Sequence, residues 1–270
     1  MDGVPLAARF SLPTNRRNFC GPADAGSALY RAATEGADVA SARAALERFE
    51  ALMPYLRALG ARYDLDPFDA RVVEAYWIGN DLLDDFRRED FRTLLADLER
   101  HGLPASIRAR LERHLPERPL PHHLFHVAFV GVGAVTGHVP TTLPNMEACR
   151  PTAARVRSLR DGRLEVEREA LVVRGGRLAW AAGRTRQTVP HEPGLVPDPE
   201  IGRPVALHWE TPVLALDPGR DRALRAYSDR SLMAANEALP ALGVLAGFPD
   251  GPALGPPSPP AAGASDFRQP

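Results

Sequence analysis

The first half of the chain carries apolar residues at the three- and four-residue spacing of amphipathic helices. The pattern predicts helices over residues 41–60, 66–86, 90–102 and 106–115. Pro54 lies inside the first of these, so we expect a kink or a split there, with Gly60 as the C-cap. Residues 1–19 are interpreted as an extended lead-in because Pro13 interrupts them. The first half is therefore predicted to be a helical bundle.

Beyond a loop rich in Thr, Gly and Pro, residues 137–144, the apolar pattern changes to a period of two. Strands are predicted around residues 154–159, 164–166, 171–173, 178–180, 205–209 and 213–216. Asp161-Gly162 and Gly175-Gly176 are typical of tight hairpin turns. A helix is predicted to follow from Asp217 to Leu239, with Pro218 in its first turn.

These two patterns define the predicted domain organisation and an α+β fold. Residues 1–140 are expected to form a helical domain, and residues 146–240 a small, closed, OB-like β-barrel with a C-terminal helix. Residues 248–270 are rich in Pro, Gly, Ala and Ser, a composition that buries too little apolar surface to order a chain. This segment is predicted to be a disordered tail.

Composition argues against several classes of protein. The 270 residues carry a formal net charge of −1, and all 33 basic residues are arginine, so a nucleic-acid partner has little support. No run approaches the ~18 apolar residues of a membrane span, and the N-terminus lacks a signal-peptide pattern. Cys20 and Cys149 are too far apart in sequence for a paired-cysteine motif. We expect a cytoplasmic protein with reduced thiols and no membrane partner.

Cys20 is one candidate for reactive chemistry. It lies in the sequence Asn18-Phe-Cys-Gly-Pro22, where Pro22 suits the first turn of a helix, and a helix N-terminus favours a thiolate. The alternative is a small buried residue at a tight turn. The stretch resembles the nucleophile turn of papain-like cysteine peptidases, which implies a catalytic histidine among His122, His123 and His126.

The three histidines begin a short apolar run that could be a strand or a helical turn. His123 and His126 share a face of a helix but point to opposite faces of a strand. A metal-binding role for them therefore depends on the local structure. The alternative is that they bind no metal and are either hydrogen-bonded or exposed. Upstream, Glu74–Asn80 combines aromatic bulk with Gly79. This segment could line a pocket beside Cys20 or form a close helix crossing with a hydrogen-bonded Asn80.

Cys149 and His208 are the candidate metal ligands. Cys149 lies in the stretch Met146–Val156, where the helical pattern gives way to strands, and His208 ends a short apolar strand. A thiol opening one strand and an imidazole closing another could meet in a small barrel. Thiolate and imidazole are suitable ligands for iron.

The second half resembles the HypC/HupF family of [NiFe]-hydrogenase assembly chaperones over roughly residues 149–239. The resemblance rests on Cys149 with Val156 seven positions later, and on Ile201-Gly202 followed by a short apolar strand and His208. It implies a small barrel in which Cys149 binds an iron that carries cyanide and carbonyl ligands, with His208 nearby.

The resemblance also implies a partner, the hydrogenase large subunit or another maturation factor. We therefore predict an accessory or scaffold protein of [NiFe]-hydrogenase maturation, with iron as its possible metal. The alternative is a papain-like cysteine hydrolase with Cys20 as its nucleophile.

Overall fold

The computed structural model describes residues 1–252 and has the predicted α+β composition. The helices are α1 (Gly3–Arg16), α2 (Gly26–Glu35), α3 (Val39–Leu46), α4 (Met53–Tyr63), α5 (Ala70–Trp77), α6 (Arg88–Arg100), α7 (Ala105–Arg113), α8 (His123–Phe125), α9 (Leu143–Cys149) and α10 (Pro218–Leu242). A 3₁₀ turn covers Asp81–Leu83, and a π-helical turn, His126–Gly131, continues α8. The strands are β1 (Thr152–Arg160), β2 (Arg163–Arg174), β3 (Arg177–Pro190), β4 (Pro204–His208), β5 (Thr211–Ala215) and β6 (Gly251–Pro252).

The N-terminal segment is a helix, so the predicted extended lead-in is wrong. Most of α1 is buried, which removes the alternation of apolar and polar faces that makes a surface helix recognisable. Pro13 is accommodated near the C-terminal end of the helix, where it removes only one helical hydrogen bond. α1 packs against α2, α3 and α5 and forms the centre of the helical half.

Two helix ends differ from the predicted ones. The 41–60 pattern is split as expected, with Pro54 in the first turn of α4, but Gly60 lies inside that helix. The helix predicted to continue to residue 86 ends at Trp77, because Gly79 adopts φ +99° and Asn80 caps the next turn. A Cβ atom at Gly79 would lie 2.4 Å from the Tyr227 ring, so the glycine permits a close approach of α10.

The strands form one antiparallel sheet in the order β3-β2-β1-β4-β5, with β6 added beside β2. Both predicted tight turns are confirmed: Asp161-Gly162 joins β1 to β2, and Gly175-Gly176 joins β2 to β3, all with positive φ. Within residues 1–252, β3 and β5 do not pair with each other. The sheet is therefore open, and the expected closed barrel is not formed, because these two edge strands exchange no ladder hydrogen bonds.

The prediction of disorder from residue 248 is wrong for β6, which pairs with Val172 and Val173 of β2. The rest of that tail, residues 253–270, lies outside the described residues. Within residues 1–252, no helix is both long enough and apolar enough to cross a membrane.

The buried apolar side chains of the helical half and of the sheet belong to one continuous cluster. α10 contributes to it by packing against α8, β1 and β3. One hydrophobic core therefore serves both halves, and the division into two domains stays a prediction. The candidate ligands lie within this shared core, between α1, α5, α8 and the β4-β5 hairpin.

Candidate metal centre

A pocket lies where the helical half meets the sheet, and its empty volume is about 580 Å³ counting its mouth. Its walls are mainly apolar and aromatic, and its chemically functional lining residues are Ser11, Cys20, Tyr76, Trp77, His123, His126, Cys149, His208 and Trp209. Tyr76 and Trp77 therefore line a pocket beside Cys20, as one interpretation of Glu74–Asn80 predicted. The other interpretation also holds, because Asn80 is hydrogen-bonded to the backbone of Arg71 and Leu82.

The segment that carries the three closely spaced histidines is helical, which settles the open alternative of the sequence. His122 is the N-cap of α8, and its Nδ1 accepts a hydrogen bond from the Leu124 amide at 3.3 Å. His123 and His126 consequently share a face, and their rings stack with centroids 5.9 Å apart. Single π-helical turns such as the one that follows are rare and often occur at functional sites.

His123 is buried and is held by contacts at both ring nitrogens. Its Nδ1 lies 2.7 Å from the Tyr76 hydroxyl. Its Nε2 lies 3.1 Å from the Cys149 carbonyl oxygen and 3.5 Å from Cys149 Sγ. The edge of the imidazole that carries Nε2 therefore faces the cysteine.

Cys149 is the last residue of α9, so the thiol ends a helix and does not open a strand as predicted. α9 is fixed by Glu147, whose buried carboxylate accepts hydrogen bonds from Arg150, from Arg168 and from the Leu171 amide. This network fastens α9 to β2 beside the thiol.

His208 ends β4 as predicted and is 1% exposed. Its Nδ1 lies 2.6 Å from the carbonyl oxygen of Phe10 in α1 and donates a hydrogen bond to it. Its Nε2 is buried and makes no hydrogen bond of normal geometry among residues 1–252, although the Cys149 backbone lies near enough to have a small raising influence on the pKa of His208. Because Nδ1 carries the proton, Nε2 holds the free lone pair that a metal requires.

The turn after His208 places it next to α9. Trp209 and Glu210 join β4 to β5 in a two-residue hairpin, with φ +48° and +59°, and neither is a glycine. Such a conformation costs about 1–3 kcal/mol per residue and persists only where surrounding contacts impose it. Here the Trp209 amide donates to the Ala148 carbonyl at 2.7 Å, and its indole packs on Phe19 at 4.6 Å between ring centroids.

His123, Cys149 and His208 together form a cluster with the geometry of a metal site. Their ligand atoms all lie within 4.8 Å of one another, and all three residues are buried. The structure thus brings together the predicted pair, Cys149 and His208, and adds His123 from the helical half. His123 was an open candidate in the sequence, and its role became visible only with the helical geometry of α8.

Burial keeps all three groups neutral when no metal is bound. Desolvation lowers the pKa of His208 to about 4 and holds the pKa of His123 well below its usual value. It also raises the pKa of the Cys149 thiol well above its usual value, and the Trp209 indole N–H acts weakly in the opposite direction. Neutral imidazoles are ready to bind a cation, and the thiol must lose its proton to do so.

Cys20 lines the same pocket but has no catalytic partner there. α2 begins at Gly26, so Cys20 does not occupy the helix N-terminus that the sequence suggested. Burial, and secondarily the charge of Glu50, raises the pKa of Cys20 to about 12. Its only hydrogen bond among residues 1–252 is one that its carbonyl accepts from Asn15, so no histidine acts on the thiol.

The other two candidate histidines, His122 and His126, form hydrogen bonds to side-chain hydroxyls and none to Cys149 among residues 1–252. His122 Nδ1 lies 3.0 Å from the Ser231 hydroxyl, and His126 Nδ1 lies 3.0 Å from the Tyr55 hydroxyl. Burial lowers the pKa of His122 to about 3 and that of His126 to about 4. Both are therefore neutral core histidines.

Comparison with known proteins gives one match. Residues 1–241 match a family of unknown function, DUF6390. No curated protein matches the chain, and no solved structure matches it either. Since the match covers both the helical half and the sheet with all three cluster residues, the chain belongs to the DUF6390 family.

Proposed function

We propose that this protein binds one transition-metal ion through His123, Cys149 and His208, and that it serves as a metal-carrying accessory protein in [NiFe]-hydrogenase maturation. The observation that carries the metal site is the convergence of two imidazoles and a thiol within 4.8 Å in a buried position. The ion would be held by His123 Nε2, Cys149 Sγ and His208 Nε2.

The spacing of the cluster supports metal binding. A tetrahedral ion with bonds of about 2.0–2.1 Å to nitrogen and about 2.3 Å to sulfur separates those two ligand atoms by about 3.5 Å. The distance between His123 Nε2 and Cys149 Sγ is 3.5 Å. One thiolate and two imidazoles suit zinc, copper or iron.

The partners of the two histidines also support it. Metal-binding histidines nearly always donate their second N–H to a carbonyl, a carboxylate or a water, which fixes the ring. His208 Nδ1 has the Phe10 carbonyl, and His123 Nδ1 has the Tyr76 hydroxyl. The His208 ring therefore presents a free Nε2, whereas His123 Nε2 donates to the Cys149 carbonyl at 3.1 Å, and on metal binding its proton would move to Nδ1, next to the Tyr76 hydroxyl.

The assignment to hydrogenase maturation rests on the HypC/HupF resemblance, and two features support it. Cys149 and His208, the pair that the resemblance names, share one site. The strand path of the open sheet ends at β3 and β5, and one side-chain hydrogen bond, donated by Gln187 of β3 to Glu210 beside β5 at 2.7 Å, links these two ends. Three protein ligands leave coordination positions for cyanide and carbonyl on iron.

A cysteine hydrolase is the competing function, and one observation favours a version of it. Cys149 Sγ lies 3.5 Å from His123 Nε2, which is a thiol–imidazole contact. Burial raises the pKa of Cys149 and lowers that of His123, so the proton stays on sulfur and the thiol remains a weak nucleophile. The same neutral groups accept a metal readily, because the cation stabilises the thiolate.

The metal site can be tested by purifying the full chain without oxygen and measuring bound metal by mass spectrometry. We expect about one ion per chain in the wild type, loss of the ion in Cys149→Ser, and weaker loading in His123→Gln and His208→Gln. Cys20→Ser is the matched control and should retain the ion. Equal metal content in Cys149→Ser and the wild type would refute the site.

The role in maturation needs a second measurement. Protein co-expressed with hydrogenase-assembly factors should show infrared bands of metal-bound cyanide and carbonyl that disappear in Cys149→Ser. Bound metal without these bands would reject iron delivery and retain the metal site. Hydrolysis of peptide or ester substrates that depends on Cys149 in metal-free protein would favour the hydrolase.

A further inference from the structure

Three buried hydrogen-bond donors lie beside the candidate metal cluster, and the proposed metal site does not involve them. The Trp77 indole nitrogen, the Trp209 indole nitrogen and the Ser11 hydroxyl are buried, and none has a hydrogen-bond partner of normal geometry among residues 1–252. All three residues line the pocket onto which the cluster faces. A buried donor without an acceptor costs about 1–3 kcal/mol, so three in one pocket require an explanation.

Their positions connect them to the metal cluster. The Trp77 ring lies 4.4 Å from the His123 ring and 5.1 Å from the His208 ring, measured between centroids. Ser11 follows Phe10, whose carbonyl accepts the hydrogen bond from His208. Trp209 follows His208 directly, and its amide donates to the Ala148 carbonyl at 2.7 Å, next to Cys149.

The polar groups of the lining are suited to a ligand that accepts hydrogen bonds. No carboxylate lies among the pocket-lining residues in the part of the chain that the structure describes. Indole N–H groups can only donate hydrogen bonds, so they select a ligand that accepts them. Charge-assisted hydrogen bonds of this kind are about twice as strong as bonds between neutral groups.

We infer that the pocket binds a small anion at the open coordination position of the metal, and that Trp77 and Ser11 select it by donating hydrogen bonds. This inference rests on the proposed metal site. Trp209 is shared with the thiolate of Cys149 and makes a smaller contribution to the anion. A neutral ligand of the same size, with no acceptor at its outer end, gains nothing from these donors.

The test uses the full chain loaded with cobalt(II), whose visible bands report thiolate coordination. Azide is the anionic probe, and methyl isocyanide is the neutral probe, since both are linear with three heavy atoms. We expect saturable azide binding in the wild type, weakened about tenfold or more in Trp77→Phe and in Ser11→Ala. The affinity for methyl isocyanide should change less than twofold in both variants.

Trp180→Phe is the matched control, because its indole donates to Asp229 at 2.6 Å outside this pocket. It should bind azide like the wild type. Ser11→Ala is a small change that keeps the test decisive if Trp77→Phe does not fold. If Ser11→Ala binds cobalt and its azide affinity is unchanged, the anion site is overturned and the metal site is retained. If the wild type shows no thiolate–cobalt bands, the metal site is overturned as well.

Discussion

At the scale of single residues, the orientation of each ligand is set by its other contacts. The Phe10 carbonyl of α1 accepts a hydrogen bond from His208 Nδ1, which fixes that ring. The Tyr76 hydroxyl lies 2.7 Å from His123 Nδ1 and fixes the orientation of that ring. Both imidazole rings are therefore oriented without a metal, which would lower the conformational entropy lost when the proposed site binds one.

Replacing Tyr76 by phenylalanine tests this orientation. Tyr76→Phe removes the hydroxyl that lies 2.7 Å from His123 Nδ1 and should weaken metal binding about 10–100-fold, because the ring loses its fixed tautomer. Affinity is measured by competition with a chelator of known strength. Tyr63→Phe is the control, since its hydroxyl bonds to the Leu82 carbonyl. Equal affinities in the two variants would show that Tyr76 does not position the ligand.

The pH dependence of metal affinity reports the protonation states. The pKa of Cys149 is raised well above its usual value, whereas the pKa of His208 is lowered to about 4 and that of His123 is held well below its usual value. Binding between pH 5 and 8 should therefore release about one proton, from sulfur, and the affinity should rise about tenfold per pH unit. Calorimetry in buffers of different ionisation enthalpy measures this number. Release of two or three protons would mean that the histidines are charged before binding.

Sequence patterns could identify part of this site. Cys149 and His208 were found from the order and spacing of a family pattern, and the three histidines from their density. The contribution of His123 could not be decided, because a short apolar run fits a strand or a helix equally well. Trp77 and Tyr76 stood out as aromatic bulk, but nothing in the pattern showed which way their polar atoms face.

At the scale of elements, α9 is a short helix of seven residues, and the buried carboxylate of Glu147 ties it to its neighbours. Burial lowers the pKa of Arg150, and the charge of Glu147 is the main opposing influence. The arginine and the carboxylate therefore depend on each other for their charged states.

Neutralising this carboxylate should be costly. Glu147→Gln leaves buried Arg150 and partly buried Arg168 without their counter-charge and should reduce the free energy of unfolding by about 3–5 kcal/mol. Urea denaturation measures this change. Glu165→Gln is the control, because its pair with Arg186 is exposed and should contribute less than about 1 kcal/mol. A loss in Glu147→Gln no larger than in the control would show that the network does not hold α9.

The elements with a clear period were predictable, and the exceptions have physical causes. Hairpins at Asp161-Gly162 and Gly175-Gly176 were correct, because their residues suit positive φ. α1 was missed because it is buried on most sides and contains Pro13. The open sheet was unpredictable from patterning, since closure depends on whether β3 and β5 approach within hydrogen-bonding distance and not on their alternation.

At the scale of the whole molecule, the shared core holds several neutral histidines that control its acid stability. Burial lowers the pKa of His122 to about 3 and those of His126 and His208 to about 4. An unfolded chain regains a histidine pKa of about 6.5. Below that pH the unfolded state binds more protons than the folded one, so stability is complete above it and is lost as the pH falls towards 4.

Unfolding experiments at a series of pH values test this expectation. Buried His123, whose pKa is also held well below its usual value, is the fourth such group. Each of the four histidines should contribute up to about 1.4 kcal/mol per pH unit between pH 6 and 5, giving a combined slope that approaches about 5.5 kcal/mol per pH unit. His126→Gln should reduce the slope by about one proton. A wild-type slope below that of one proton would mean that these side chains are hydrated in the folded protein.

The three ligand residues come from segments far apart along the chain, α8, α9 and the end of β4. A chain that ends before residue 208 lacks one of the three ligand residues, and the Trp209 amide needs the Ala148 carbonyl of α9 as its acceptor. Under the proposed function, the complete site would therefore exist only in the assembled fold. A metal would have to reach it through the pocket, after the helical half and the sheet have come together.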